Sequence, residues 1–332
     1  MRPSHRTSGR LKGSPVSFTK AAIKAAFFIA VDEWIFILSG MNRRKFLLTS
    51  SALAAAPAAF AAPKRDIKKA LKWHMINDPK AKTTLDKFRL VADCGFHGVE
   101  FRGPIDIPLR EVENAMNKTG MRVPGMVAGA NGRKFSDPKP EVQAEGVSNY
   151  IKALKQVKAL GGTTVLMYPG IVNADNPYDV VYERMVKNTR KVIPTAQKTG
   201  VKVAFENVWN HFLLSPLEAA QFVDSFETDA VSWYFDVGNV VNTGWPEQWI
   251  RILGKRISKL DIKEYSRKKR DAEGPRAGFR MPLGEGDCNW PAVMKALNDI
   301  GYTRGWGSAE VRGGDRERLA DISRRMDKIF AL

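Results

Sequence analysis

From Pro63 onward the chain alternates short apolar runs with longer segments of helical period, and no linker-like stretch interrupts the alternation. Eight runs read as strands: 70–76, 98–101, 122–127, 163–168, 202–206, 232–236, 258–263 and 306–311. Helical segments fall between them and after the last. The clearest covers 142–160, where Val147, Tyr150, Ile151, Leu154, Val157 and Leu160 recur at spacings of three and four, and Gly161-Gly162 stops the pattern. Ser215-Pro216-Leu217-Glu218 predicts a capping box with proline at the first helical position. Leu319, Ile322, Met326, Ile329 and Phe330 share one face of the last helix. Pro194 falls inside the fourth helical segment and predicts a kink there. Eight strand-then-helix units predict an α/β fold, a closed (β/α)8 TIM barrel forming a single domain over 63–332. An open doubly wound sheet is the competing topology. It calls for a glycine-rich turn after the first strand, and Trp73-His74-Met75-Ile76-Asn77 is not one.

Four consecutive apolar runs end in an acid: Glu206, Asp236, Asp261 and Glu310. In a parallel barrel these positions lie at the C-terminal face, where active sites are built. Carboxylates converging there repel one another unless a cation sits among them. An all-oxygen donor set suits a hard divalent metal, Mn2+ or Mg2+. Ion pairing is the competing explanation, since Lys263 and Arg312 each lie two residues past an acid and share its strand face. Other candidates are His74, placed at the end of the first strand, and Glu100, placed at the end of the second. Trp209 follows Glu206 in the active-face loop and can stack on a sugar ring or simply cover the barrel top. His97 precedes its strand and belongs on the opposite, stability face. The long connection 264–288 is a candidate lid.

The N-terminal part changes the picture of the whole chain. Met41-Asn42-Arg43-Arg44-Lys45-Phe46 has a twin-arginine layout, followed by an apolar stretch and Ala59-Phe60-Ala61, a small-x-small cleavage pattern. Residues 41–62 read as an export signal. Residues 1–40 read as a misassigned upstream extension, with Met41 as the initiator. The expected location is periplasmic or secreted. Lys24, Asp32 and Glu33 interrupt the apolar stretch 21–38, and an acid near a bilayer centre costs about 3 kcal/mol, so no stable membrane span is expected. The net charge is +18; removing the first 62 residues leaves about +11. No basic stripe with interleaved aromatics accompanies that charge, so nucleic acid is not an expected partner. The two cysteines, Cys94 and Cys288, read as free buried thiols.

The motifs Ala204-Phe205-Glu206-Asn207, Phe235-Asp236-Val237-Gly238-Asn239, Leu260-Asp261-Ile262-Lys263-Glu264, Pro282-Leu283-Gly284-Glu285-Gly286-Asp287 and Ala309-Glu310-Val311-Arg312 resemble the xylose isomerase-like TIM barrels, specifically the sugar phosphate isomerase/epimerase group. The resemblance spans about 68–330. It implies a divalent metal held by Glu206, Asp236 and Glu310, with Asp261 standing where the family has a histidine. It also puts Asn239 at a second histidine position that touches substrate. The implied chemistry is proton abstraction next to a carbonyl through an enediolate, with Glu206 and Glu310 moving the proton. Lys263 would pair with the acids or stabilise the oxyanion, and Arg312 would orient the substrate. The expectation is an exported isomerase or epimerase acting on a small carbohydrate, a sugar acid or a cyclitol. Two alternatives stay open: a lyase or dehydratase on a keto-sugar or 3-keto-glycoside, and a non-catalytic carbohydrate-binding barrel. The endonuclease branch of the superfamily uses many histidines, whereas 63–332 holds only His74, His97 and His211.

Overall fold

The computed structural model describes residues 65–332, so the extension and export signal expected at 1–62 lie outside the described residues. Eight parallel strands close into a barrel in sequence order: β1 (Asp66–Lys72), β2 (Gly98–Arg102), β3 (Gly125–Val127), β4 (Thr164–Met167), β5 (Lys202–Glu206), β6 (Val231–Asp236), β7 (Ile257–Ile262) and β8 (Arg304–Ala309). β1 pairs with both β2 and β8, which closes the ring. Helices follow the strands on the outside, as the alternating pattern predicts. Their apolar faces meet the outer strand faces, burying Phe88, Leu154, Val192, Phe222, Val293 and Ile322. Phe205, Phe212 and Phe226 each pack edge-on against Phe222 behind β5.

Local signals explain most helix ends. Pro140 opens the helix Pro140–Ala159, and Gly161 follows its end at a φ of 74°, a left-handed conformation that glycine adopts without steric cost. The helix Tyr178–Thr199 runs on through Pro194, so the proline does not end it. At Ser215 only half of the expected box forms. The serine side chain accepts from the Glu218 N–H at 3.2 Å, but the Glu218 carboxylate takes the Leu214 N–H at 2.9 Å and the Tyr178 hydroxyl instead. A full capping box forms at Thr83 and Asp86.

Two strand placements bear on the site. β1 ends at Lys72, and Trp73–Met75 is a 3-10 turn, so the expected run 70–76 sits too late. β8 ends at Ala309, which leaves Glu310 as the first residue of the mouth loop. Inside the barrel the apolar filling is small, centred on Leu166, Ala204 and Tyr234. Charged side chains share the interior with it: Lys72, Glu100, Glu206, Asp236, Lys259 and Asp261 are all buried.

Candidate metal centre

Strand register brings the acids together. Asp236 and Asp261 are direct partners across β6 and β7, and Asp261 pairs with Ser308 on β8. Glu206 ends β5 beside Tyr234. One carboxylate oxygen from each of Glu206, Asp236, Asp261 and Glu310 lies within 4.8 Å of all the others. The first three are buried and Glu310 is partly exposed.

Each acid is held from behind. Asp236 caps the short helix Val237–Val241, accepting the Asn239 N–H at 2.9 Å. Asn207 clamps the ends of β5 and β6, accepting the Asp236 N–H at 3.0 Å and donating to its carbonyl at 2.7 Å. Asn239 donates to Glu206 Oε1 at 3.2 Å and accepts from Lys263 Nζ at 3.3 Å. Lys263 Nζ also lies 2.7 Å from Asp236 and 3.2 Å from Glu310. Lys72 Nζ lies 2.6 Å from Asp261 and 2.8 Å from Glu100. Ion pairing and the acid cluster are therefore parts of one arrangement, not alternatives.

The electrostatics follow from burial and crowding. Burial, together with Glu310, Asp236 and Asp261, pushes the Glu206 carboxyl well above its ordinary value. Burial raises Asp236 to about 6, against the pull of Lys263. Burial also raises Asp261 far above the usual range, despite Lys72. Glu310 goes the other way: burial opposes ionisation, but Lys263, Lys72 and hydrogen bonds from Asp261 and Lys263 hold it at about 2.

The donor set fits a hard divalent cation. Glu206 Oε2, Asp236 Oδ2, both Asp261 oxygens and Glu310 Oε2 are buried without a hydrogen-bond donor. Asp236 Oδ2, Asp261 Oδ1 and Glu310 Oε2 face a lysine at charge-pair distance. Glu206 Oε2 faces neither a donor nor a lysine within that distance. Buried carboxylate oxygens left this way are costly unless something outside the chain partners them.

The other sequence candidates scatter. His74 lies largely exposed in the 3-10 turn beyond β1, where partial desolvation and nearby Arg102 lower its pKa. Glu100 sits mid-strand below the mouth, because β2 continues to Arg102; it is ringed by Lys72, Lys259 and the Tyr234 hydroxyl. Trp209 is 39% exposed, donates its indole N–H to the Asn239 carbonyl and packs on Tyr265 and Phe279. Arg312 is exposed, and its side chain has no charged partner among the described residues. His97 accepts the Lys69 N–H at the N-terminal end of the barrel, as its place before β2 implies. Cys94 and Cys288 are free and buried. The connection after β7 is ordered into a helix, Arg267–Glu273, and a 3-10 segment, Pro275–Phe279. A cavity of about 320 Å³ opens beside the mouth, lined among others by Asn207, Trp209, His211, Asn239 and Trp249. Sequence reasoning missed Lys72 and Glu264. The signal for Lys72 was present as a lysine inside an apolar run, and it was hidden by placing the strand end four residues late.

A closed parallel barrel with a carboxylate cluster at its C-terminal mouth defines the class. The xylose isomerase-like TIM barrel model matches residues 88–329, and the chain belongs to that family. Hydroxypyruvate isomerase of Escherichia coli is 24% identical over 245 residues, which cover 69% of this chain and 87% of that protein. A 2-oxo-tetronate isomerase of Haemophilus influenzae is 24% identical over 229 residues, covering 66% and 84%. Among solved structures, D-psicose 3-epimerase from Clostridium cellulolyticum, crystallised with D-tagatose, superposes with a TM-score of 0.65 at 18% identity, covering 79% of this chain and 98% of that one. A 3-keto-D-glucoside 4-epimerase from E. coli gives 0.66 at 16% identity, covering 80% and 100%. At these identities the structural likeness shows the fold. Among the described residues no helix is long and apolar enough to cross a membrane.

Proposed function

We propose that this protein is a divalent-metal-dependent isomerase or epimerase of small sugars or sugar acids, working by proton transfer next to a carbonyl. The observation that carries the reading is the convergence of four carboxylate oxygens within 4.8 Å, several of them without a donor. The hard donor set favours Mn2+ or Mg2+. Glu206, Asp236, Asp261 and Glu310 would hold the cation, which when bound acidifies the C–H beside the substrate carbonyl by drawing charge onto itself. The chain supplies the rest. Glu206 and Glu310 stand three strands apart, so a substrate carbon between them is reached from two sides. Burial favours a proton on Glu206 while Glu310 stays ionised, and such a pair can exchange donor and acceptor roles. Lys263 lies between Asp236 and Glu310, where it stabilises negative charge developing on a substrate oxygen. Trp209, exposed at the rim, offers a ring face to the sugar. The relatives named for hydroxypyruvate and 2-oxo-tetronate make short 2-oxo acids the first substrates to try, with ketohexoses next.

The test has two stages. Metal analysis of the purified protein, before and after Mn2+ loading, should show about one divalent ion per chain. Proton NMR in D2O with those substrates should then show solvent deuterium at the carbon next to the carbonyl. Glu206→Gln should lower that exchange by about 10²–10⁴-fold. Failure to bind or retain any divalent ion sinks the reading and favours a binding barrel. A released leaving group in place of a rearranged sugar would make the protein a lyase. We further propose that residues 41–62 direct twin-arginine export and that the chemistry takes place in the periplasm or outside the cell. Amino-terminal sequencing of the mature protein checks this; a chain that begins upstream of residue 41 overturns it.

A further inference from the structure

Lys72 is the last residue of β1 and is buried inside the barrel. Its ammonium sits 2.6 Å from Asp261 Oδ1, 2.8 Å from Glu100 Oε2 and 3.2 Å from the Tyr234 hydroxyl. Glu100 does not depend on Lys72 alone: Lys259 pairs with its other oxygen, and Tyr234 donates to it at 2.7 Å. Asp261 has no second cation: no other lysine or arginine lies within ion-pair distance of it among the described residues. Its Oδ2 is buried without a donor. Asp261 therefore meets a resident cation at Oδ1 and also contributes an oxygen to the acid cluster.

We propose that Lys72 is a built-in counter-cation for Asp261, a positioning residue that makes the fourth acid act as a near-neutral member of the metal centre. The proposal rests on the metal reading above for its consequences, though the pair itself does not. An unpaired fourth carboxylate would add a full negative charge to a buried cluster and repel Glu206, Asp236 and Glu310. With Lys72 in place, the charge facing a divalent ion is that of three acids, offset further by Lys263. Lys72 also holds the Asp261 carboxylate from behind, the way a partner behind a metal ligand fixes its aim. The cluster can then persist in the metal-free chain, and the cation is held less tightly than four free carboxylates would hold it.

The experiment compares wild type, Lys72→Met, Asp261→Asn and the double variant Lys72→Met/Asp261→Asn, full-length and mature. Mn2+ affinity is read by calorimetry, and the melting temperature is read with and without Mn2+. Lys72→Met should bind Mn2+ about tenfold tighter than wild type, because a repulsive charge is gone and an acid is released. Its metal-free form should melt at least about 5 °C lower, with most of that loss recovered by Mn2+. The double variant removes both charges and should return close to wild type in metal-free melting temperature, far from the sum of the two single changes. Unchanged or weaker Mn2+ binding by a folded Lys72→Met overturns the proposal. So does additivity in the double variant. If Lys72→Met alone does not fold, a double variant that also fails to fold overturns the proposal and a double variant that folds supports it. If wild type binds no divalent ion at all, the enzyme reading fails, while non-additive melting temperatures would still support the pair.

Discussion

Asn239 donates from its side-chain NH2 to Glu206 and the Asn207 carbonyl, and accepts from Lys263 on its oxygen. A single amide thus touches the carboxyl and the ammonium that the proposed chemistry both needs. Asn239→Ala leaves Glu206 and Lys263 in place but frees both to turn. It also leaves a buried carbonyl without its donor. Loss of such buried hydrogen bonds costs about 1–3 kcal/mol, and a catalytic pair that is no longer aimed should lose about tenfold in kcat. Thermal melting and the rate of solvent deuterium uptake check the two parts separately. An unchanged rate would place Asn239 among structural residues only. The four acids were legible in the sequence because each interrupts an apolar run at a strand end. Among their partners, Lys263 was legible from its spacing and Asn239 from the family motif, but Asn207 and Lys72 were not. Those two act through geometry that depends on barrel closure: Asn207 joins the ends of β5 and β6, and Lys72, the last residue of β1, reaches Asp261 on β7.

Glu264, just past β7, ties the long connection after it to the barrel. Its buried carboxylate accepts N–H groups from Tyr265 at 3.1 Å, Gly284 at 2.8 Å, Cys288 at 3.3 Å and the Trp290 indole at 2.8 Å. Gly286 packs on it so closely that an added Cβ would lie 2.6 Å from Glu264 Oε1. This is the physical content of the Pro282–Asp287 motif: a turn wrapped on one carboxylate. Glu264→Ala removes four anchors at once and should cost at least about 3 kcal/mol. The segment carrying Phe279 and Tyr265 would open first, so hydrogen exchange should rise at 265–288 before the rest of the barrel. Uniform exchange across the chain would show that the connection is not a separate unit. On β3, Gly125 leaves room for the buried Lys259–Glu100 pair; an added Cβ would meet the Thr164 carbonyl at 2.3 Å and Lys259 Nζ at 3.0 Å. Gly125→Ala should therefore destabilise by about 1–3 kcal/mol, read by denaturant unfolding. Strand positions were legible from apolar runs for β2, β5 and β6. β1 and β8 were placed late, because the barrel interior at those strands is polar and the pattern that marks a strand there is weak.

At the scale of the molecule, a metal-free barrel carrying these acids should be less stable as pH rises. Glu206 and Asp261 are pushed far above their ordinary values and Asp236 to about 6, in each case by burial first. A carboxyl whose folded pKa is raised holds its proton more tightly folded than unfolded. Its contribution to stability is present below the unfolded value, near pH 4, and is lost as pH climbs through the folded value. Glu310 and Glu100 are depressed and act oppositely, but their window lies below about pH 4.5 and does not overlap. His74 and His97, held down by desolvation, pull weakly toward greater stability at higher pH. Lys72 and Lys263 stay charged throughout, since the surrounding acids outweigh their burial and raise them. The metal-free melting temperature should therefore fall between pH 5.5 and pH 8, and the fall should be shallower in Asp236→Asn, which isolates the cluster from the histidines. Saturating Mn2+ has the opposite slope. A cation competes with protons for the same oxygens, so its stabilisation should be small at pH 5.5 and largest at pH 8. Scanning fluorimetry across that range, with chelator or with Mn2+, reads both slopes. Parallel curves with and without Mn2+ would mean that the ion binds away from the four acids.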